Sequence, residues 1–113
     1  MKYRIQVTIQ AKEDLIAIYE YIAIELLSPE YASGQIDRIE SAILDLEEMP
    51  FRYRLFSTEP WNSKGVRIMS VDHYVVIYIP DENAGTVTVL RVMYGGRDIK
   101  KQLDDNTVFP FNC

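Results

Sequence analysis

Apolar residues fall at every second position in Tyr3-Arg4-Ile5-Gln6-Val7-Thr8-Ile9, with polar ones between, which is the period of a strand with one buried face. From Lys12 to Leu27 the spacing becomes helical. Leu15, Ile18, Tyr19, Ile22 and Leu26 lie along one face, and Ile16, Ala23 and Leu27 widen it. Ser28-Pro29-Glu30 predicts a boundary, because proline disfavours helical geometry at the residue before it and suits the first helical position, with Ser28 as cap. A second helix follows with Ala32, Ile36, Ile39, Ile43 and Leu46 at steps of three and four, closed by Pro50. After a loop containing Arg52, Arg54 and Trp61 come three β-rich runs, Val66 to Val71, His73 to Ile79 and Thr86 to Tyr94. The connector from Pro80 to Gly85 has turn chemistry and pairs the last two runs as an antiparallel hairpin.

The predicted order is strand, helix, helix, strand, strand, strand. The economical arrangement is an α+β fold with a helix hairpin on one face of a mainly antiparallel four-stranded sheet, leaving the opposite face free for function. Strand alternation places Arg91 with Val87, Val89 and Met93, and Tyr94 with Leu90 and Val92. Residues 1–103 form a single domain, with one helical turn from Asp98 to Leu103, and residues 104–113 read as a flexible C-terminal tail.

A length of 113 residues, 48% hydrophobic and 26% charged, suits one globular domain that folds without disulfides or metal. Cys113 is the only cysteine and His73 the only histidine, so no His/Cys metal-ligand set exists, and no loop has the calcium-binding pattern. No apolar run approaches the roughly 18 residues that a spanning helix needs. Met1-Lys2-Tyr3-Arg4 leads into a strand rather than a signal peptide's apolar region, so the chain reads as cytoplasmic. The net charge of −5 argues against a general nucleic-acid binder, but it averages two unlike halves. Residues 1–50 carry four basic and ten acidic side chains, a balance of −6; residues 51–101 carry eight basic and five acidic, a balance of +3.

Catalytic motifs are scarce. Gly95-Gly96 is an isolated pair that lets the chain turn after a strand, not a phosphate loop, and no serine or cysteine sits in a nucleophile elbow. No cofactor-binding motif is present. What remains is a set of basic and phenolic groups on and after the last three strands: Arg67, His73, Tyr74, Tyr78, Arg91, Tyr94 and Arg97. Cleaving RNA without a metal needs a group to take the 2′-hydroxyl proton, another to protonate the leaving oxygen, and cations for the phosphorane, and these residue types supply all three. Each also has a structural reading: tyrosines favour strands, and Arg91 and Arg97 have Asp98 and the acidic helices as partners.

The stretch Ala11 to Ile22, the helix ending Leu46-Glu47-Glu48-Met49-Pro50, then Val66-Arg67, Tyr74 to Tyr78, and Val89-Leu90-Arg91-Val92-Met93-Tyr94-Gly95-Gly96-Arg97-Asp98-Ile99 resemble the RelE/ParE superfamily of toxins from type II toxin–antitoxin modules. The resemblance covers about residues 3 to 103, and the last strand followed by Gly-Arg-Asp-Ile is its most telling part. It implies a plasmid-stabilising toxin that inhibits bacterial growth until a cognate antitoxin wraps it. It also implies one of two targets, the ribosome with its mRNA for RelE-like endonucleases or DNA gyrase for ParE-like inhibitors. Arg67 and Arg97 stand where the RelE-like pattern has cations, but Met69, Val75 and Leu103 replace a second strand cation, the arginine after the strand tyrosine, and a late tyrosine. The ParE-like branch is therefore the expectation. Under the nuclease alternative the catalytic set is Arg67, His73, Tyr74 and Arg97. A remnant that binds an antitoxin without toxicity is a third reading. The expected contact residues for target or antitoxin are Arg91, Tyr94, Arg97, Tyr19, Tyr21 and Tyr31, and no membrane or small-molecule cofactor is implied.

Overall fold

The computed structural model describes residues 2–96 and 98–107; Arg97 and the part of the predicted tail from 108 to 113 lie outside the described residues. Strand β1 (Arg4–Val7) leads into helix α1 (Ile9–Glu20), which continues as a π-helical turn (Tyr21–Glu25). Helix α2 (Pro29–Leu44) runs on into a 3-10 turn (Asp45–Glu47), and a second 3-10 turn follows at Pro50–Arg52. Strands β2 (Arg67–Val71), β3 (Tyr74–Asp81) and β4 (Thr86–Tyr94) precede helix α3 (Ile99–Asn106). The sheet order is β1-β4-β3-β2, with β1 parallel to β4 and the other pairs antiparallel.

The first helix begins earlier than its apolar spacing predicts. Thr8 accepts from the Ala11 amide with its side chain and donates its hydroxyl to the Leu90 carbonyl, so it caps α1 and fastens that end to β4. Ile9, expected inside the strand, is consequently 76% exposed. At the next boundary Pro29 takes the first helical position as predicted, whereas Ser28 makes no side-chain cap bond; its carbonyl accepts from the Ala32 amide. Ala32, Ile39, Ile43 and Leu46 are buried along the predicted stripe, joined by Gln35.

The helices pack on one sheet face through Ala11, Ile39, Ile43 and Leu46 against Met69, Val76, Tyr78, Val87, Val89 and Val92. The opposite face is not free, contrary to expectation. Phe56 and Trp61 from the 53–66 connector, with Leu103 of α3, cover Val66, Ile68, Val75, Ile77, Leu90 and Met93 in a second apolar cluster. These strands carry large apolar side chains on both faces, so both must be removed from water.

Strict alternation also fails in β4. Ile77 of β3 pairs with Arg91 and Tyr78 with Val89, leaving Leu90 as an inserted residue. The bulge shifts the phase of everything after it. Val92 joins Val87 and Val89 on the helix side, while Met93 joins Leu90 opposite. Arg91 thus stays with Met93 but is separated from Val87 and Val89, and Tyr94 stays with Val92 but is separated from Leu90.

Candidate functional site

Past the end of β1, the sheet, the π-turn and the start of α2 leave a groove of about 740 Å³. Its walls come from Ala17, Ile18, Tyr21, Ile22 and Leu26 on one helix, Tyr31 and Gln35 on the other, and Val92, Met93 and Tyr94 at the end of β4. His73 and Tyr74 enter from the β2–β3 turn, and Asp14, Arg91 and Gln102 close one side. The π-turn helps open this space: it widens the helix, buries Ile22 and leaves Tyr21, Ile24, Leu26 and Leu27 exposed, ending with Leu27 at φ 53°.

Six of the residues singled out from sequence meet here: Tyr21, Tyr31, His73, Tyr74, Arg91 and Tyr94. The Tyr74 and Tyr94 rings stand edge to face with centroids 5.9 Å apart. Gly96 permits that pose of Tyr94, because a Cβ at position 96 would come within 2.4 Å of the Tyr94 ring. Burial pushes the Tyr74 phenol above its ordinary pKa, and neighbouring Tyr31, Tyr21 and Tyr94 add to the rise. The phenol therefore stays protonated at neutral pH.

Arg91 is committed within the fold. Its Nε and Nη2 donate to the two carboxylate oxygens of Asp14 at 2.7 and 2.8 Å, and its Nη1 donates to the Asn106 carbonyl and the Thr107 hydroxyl. Asp14 also accepts from the Val92 amide at 2.9 Å. Both side chains are largely buried, and the bidentate bond to Asp14 holds the Arg91 pKa above its usual value against the opposing effect of burial. At the groove's other end, Asp72 occupies the left-handed region at φ 55° and accepts from Arg38 Nε at 2.8 Å and Gln35 Nε2 at 3.0 Å. Arg38 and then Gln35 hold the Asp72 carboxyl below the usual carboxylate range, with neighbouring His73 a smaller contribution.

Arg67 does not join His73 and Tyr74. It begins β2, at the end of that strand far from the β2–β3 turn, and its Nη1 donates to the Phe51 and Tyr53 carbonyls while its guanidinium stacks over the Phe51 ring at 5.1 Å. Tyr78 is fully buried and donates to the Pro50 carbonyl. Tyr19 lies on α1, 38% exposed and outside the groove lining. Asp14, Gln35 and Asp72, which organise the groove, have no local signature in the sequence, since the partners that join them across elements lie 34 to 78 residues away in the chain. Among the described residues no three His, Cys, Asp or Glu side chains group as a metal site, and no helix is long and apolar enough to cross a membrane.

No curated protein matches this chain. Among solved structures it is similar to a chain of the chromosomal ParDE toxin–antitoxin system from P. aeruginosa, with TM-score 0.67 and 21% identity over 82% of this chain and 96% of that one. It is also similar to a free-state double-arginine variant of E. coli RelE, with TM-score 0.63 and 12% identity over 90% and 93% of the two chains. The RelBE2 complex of Mycobacterium tuberculosis contributes a third, with TM-score 0.54 and 23% identity over 83% and 99%. These likenesses establish the shared α+β fold. The family model described as the ParE toxin of type II toxin–antitoxin systems, parDE, matches residues 5–99, so by sequence as well as fold the chain belongs to the ParE toxin family.

Proposed function

We propose that this toxin arrests bacterial growth by capturing DNA gyrase, without bond-breaking chemistry of its own, and that a cognate antitoxin holds it inactive in the cytoplasm as part of a plasmid-stabilising module. The family match to ParE over residues 5–99 supports the branch. The observation that carries the mechanism is the state of the cations around His73 and Tyr74. Arg91, the one arginine among the described residues of the groove lining, is bound by Asp14, and Arg67 is bound to backbone carbonyls at the other end of β2. Metal-independent RNA cleavage requires cations placed where the phosphorane charge develops, beside the groups that move protons. Capture of a protein target requires only an exposed surface, and Tyr21, Tyr31 and Tyr94 provide large amphipathic side chains of the kind that dominate such contacts.

An antitoxin partner fits the same surface and is in keeping with the solved RelBE2 complex to which the chain is similar. The test is a paired assay on the purified protein. Gyrase supercoiling should fall in proportion to added toxin, while ribosome-bound message stays intact. Cleaved message with unaffected supercoiling would replace this reading with the endonuclease one, and normal growth on expression of soluble protein would favour a non-toxic remnant.

A further inference from the structure

Four of the groove's side chains are tyrosines, and each comes from a different element. Tyr21 lies on the π-turn, Tyr31 on α2, Tyr74 on β3 and Tyr94 on β4. Ile22, Val92 and Met93, all buried, supply apolar surface beneath them. The Tyr74 and Tyr94 rings are inclined at 73°, so they do not close on each other face to face. Tyr21, Tyr31 and Tyr94 are 56%, 53% and 50% exposed. The fold thus brings four aromatic rings to one concave space without filling it, and a volume of about 740 Å³ is that of a site for a small organic molecule.

Charge decides which molecule. Arg91 is the only arginine or lysine among the described residues of the lining, and its bidentate bond to Asp14 leaves no net charge for an anion. Glu20 and Glu30 precede Tyr21 and Tyr31 in the chain, and Glu25 ends the π-turn. None of these three carboxylates enters an ion pair with another described residue. Their field repels an incoming anion and draws in a cation. Tyrosine faces carry the negative part of the ring quadrupole and hold a cation within about 6 Å, alkylated ammonium ions above all. Alkyl groups on the nitrogen also gain from contact with an apolar floor. We propose that the groove binds a free small-molecule quaternary or alkylated ammonium ion, with its alkyl groups on Ile22, Val92 and Met93 and its charge against the tyrosine rings. This assignment goes beyond the toxin reading and does not depend on which target the toxin captures.

The test titrates the full chain with choline and with its neutral isostere, in which carbon replaces the nitrogen, at constant ionic strength. The two probes share a shape and differ in charge. Choline should bind in the millimolar range, as several exposed cation–π contacts allow, and the isostere at least about fivefold more weakly. The choline methyl protons should move upfield in the ring currents, with protein shifts centred on Tyr21, Tyr31, Tyr74 and Tyr94. Tyr31→Leu and Tyr94→Leu, at exposed positions, should each weaken choline by about fivefold, whereas Tyr31→Phe and Tyr94→Phe, which keep a π-face, should stay within about twofold of the parent. Equal affinity for choline and its isostere, Leu variants that bind like the parent, or shifts elsewhere on the protein would each overturn the proposal. So would a peptide carrying trimethyllysine that binds far more tightly than choline, since the site would then belong to a protein partner. Every readout is made on the purified chain alone, so the site can fail while growth arrest and gyrase inhibition stand, and the reverse.

Discussion

Tyr78 is wholly buried beneath the helices, where its hydroxyl donates to the Pro50 carbonyl at 2.7 Å and ties β3 to the turn after α2. Burial pushes its pKa up to about 12 from an ordinary value of 10, outweighing the lowering by Arg67 and Arg52. Because the folded pKa lies above the unfolded one, the contribution to stability is complete below pH 10 and is lost as pH rises through the folded value. Two pKa units correspond to about 2.7 kcal/mol. Urea unfolding between pH 8 and the alkaline limit should show the parent losing stability more steeply than Tyr78→Phe. At neutral pH the Phe variant should be weaker by about 1 kcal/mol, through the unpaired Pro50 carbonyl. Parallel curves for the two proteins would show that the Tyr78 phenol is not the group responsible. The β-rich run from His73 to Ile79 already placed Tyr78 on a strand, but its acceptor comes from a turn 28 residues earlier, which no local pattern indicates.

Elements in this fold meet through two irregularities, the π-turn after α1 and the bulge at Leu90, and Asp14 joins the parts they displace. Its carboxylate accepts from Arg91 and from the Val92 amide, and Arg91 in turn donates to Asn106 and Thr107 beyond α3. One acidic side chain thus connects α1, β4 and the end of α3. Asp14→Ala should cost about 2–4 kcal/mol, since it strands a largely buried guanidinium and a backbone donor. The same change at exposed Glu13 should stay within about 0.5 kcal/mol. Chemical denaturation of both variants measures the contrast, and equal midpoints would mean that the pair contributes nothing. Both helices, the antiparallel hairpin and Pro29 at the first helical position were readable from the local sequence, whereas the side-chain cap expected of Ser28 is not made. The bulge was not readable, because inserting Leu90 satisfies Thr8 and the second apolar cluster, and both demands are tertiary.

Across the whole molecule, the charge asymmetry of the sequence becomes an acidic helix layer over a more basic sheet, with an aromatic groove where the two part. A protein that works by contact should tolerate the loss of a proton-transfer group and suffer from the loss of a surface cation. His73→Gln is therefore expected to leave growth arrest nearly unchanged, and Arg97→Ala, in the basic segment after β4, to weaken it. Growth curves at matched soluble expression provide the comparison. Toxicity abolished by His73→Gln with the fold intact would instead place proton transfer at the centre of the activity, where general acid–base groups are worth roughly 10² to 10⁴ in rate.

Hydrophobic periodicity and turn chemistry determined the order of elements, the helix hairpin and the mainly antiparallel sheet, because each depends on spacings of two, three or four residues that the chain carries locally, while the family resemblance came from particular residues, above all the last strand and its Gly-Arg-Asp-Ile ending. The sequence also picked out Tyr21, Tyr31, His73, Tyr74, Arg91 and Tyr94, since basic and phenolic groups are conspicuous wherever they fall. Only the tertiary structure decided which of them act together. Arg67 and His73 are six residues apart in sequence, yet an extended strand carries them to opposite ends of β2. Arg91 and Asp14 are 77 residues apart, yet the parallel pairing of β1 with β4 brings α1 back across the end of β4 and closes their ion pair. The second sheet face was lost to function for the same kind of reason: covering it required Phe56, Trp61 and Leu103 to converge from separate segments, which is a property of the folded chain and of no local pattern within it.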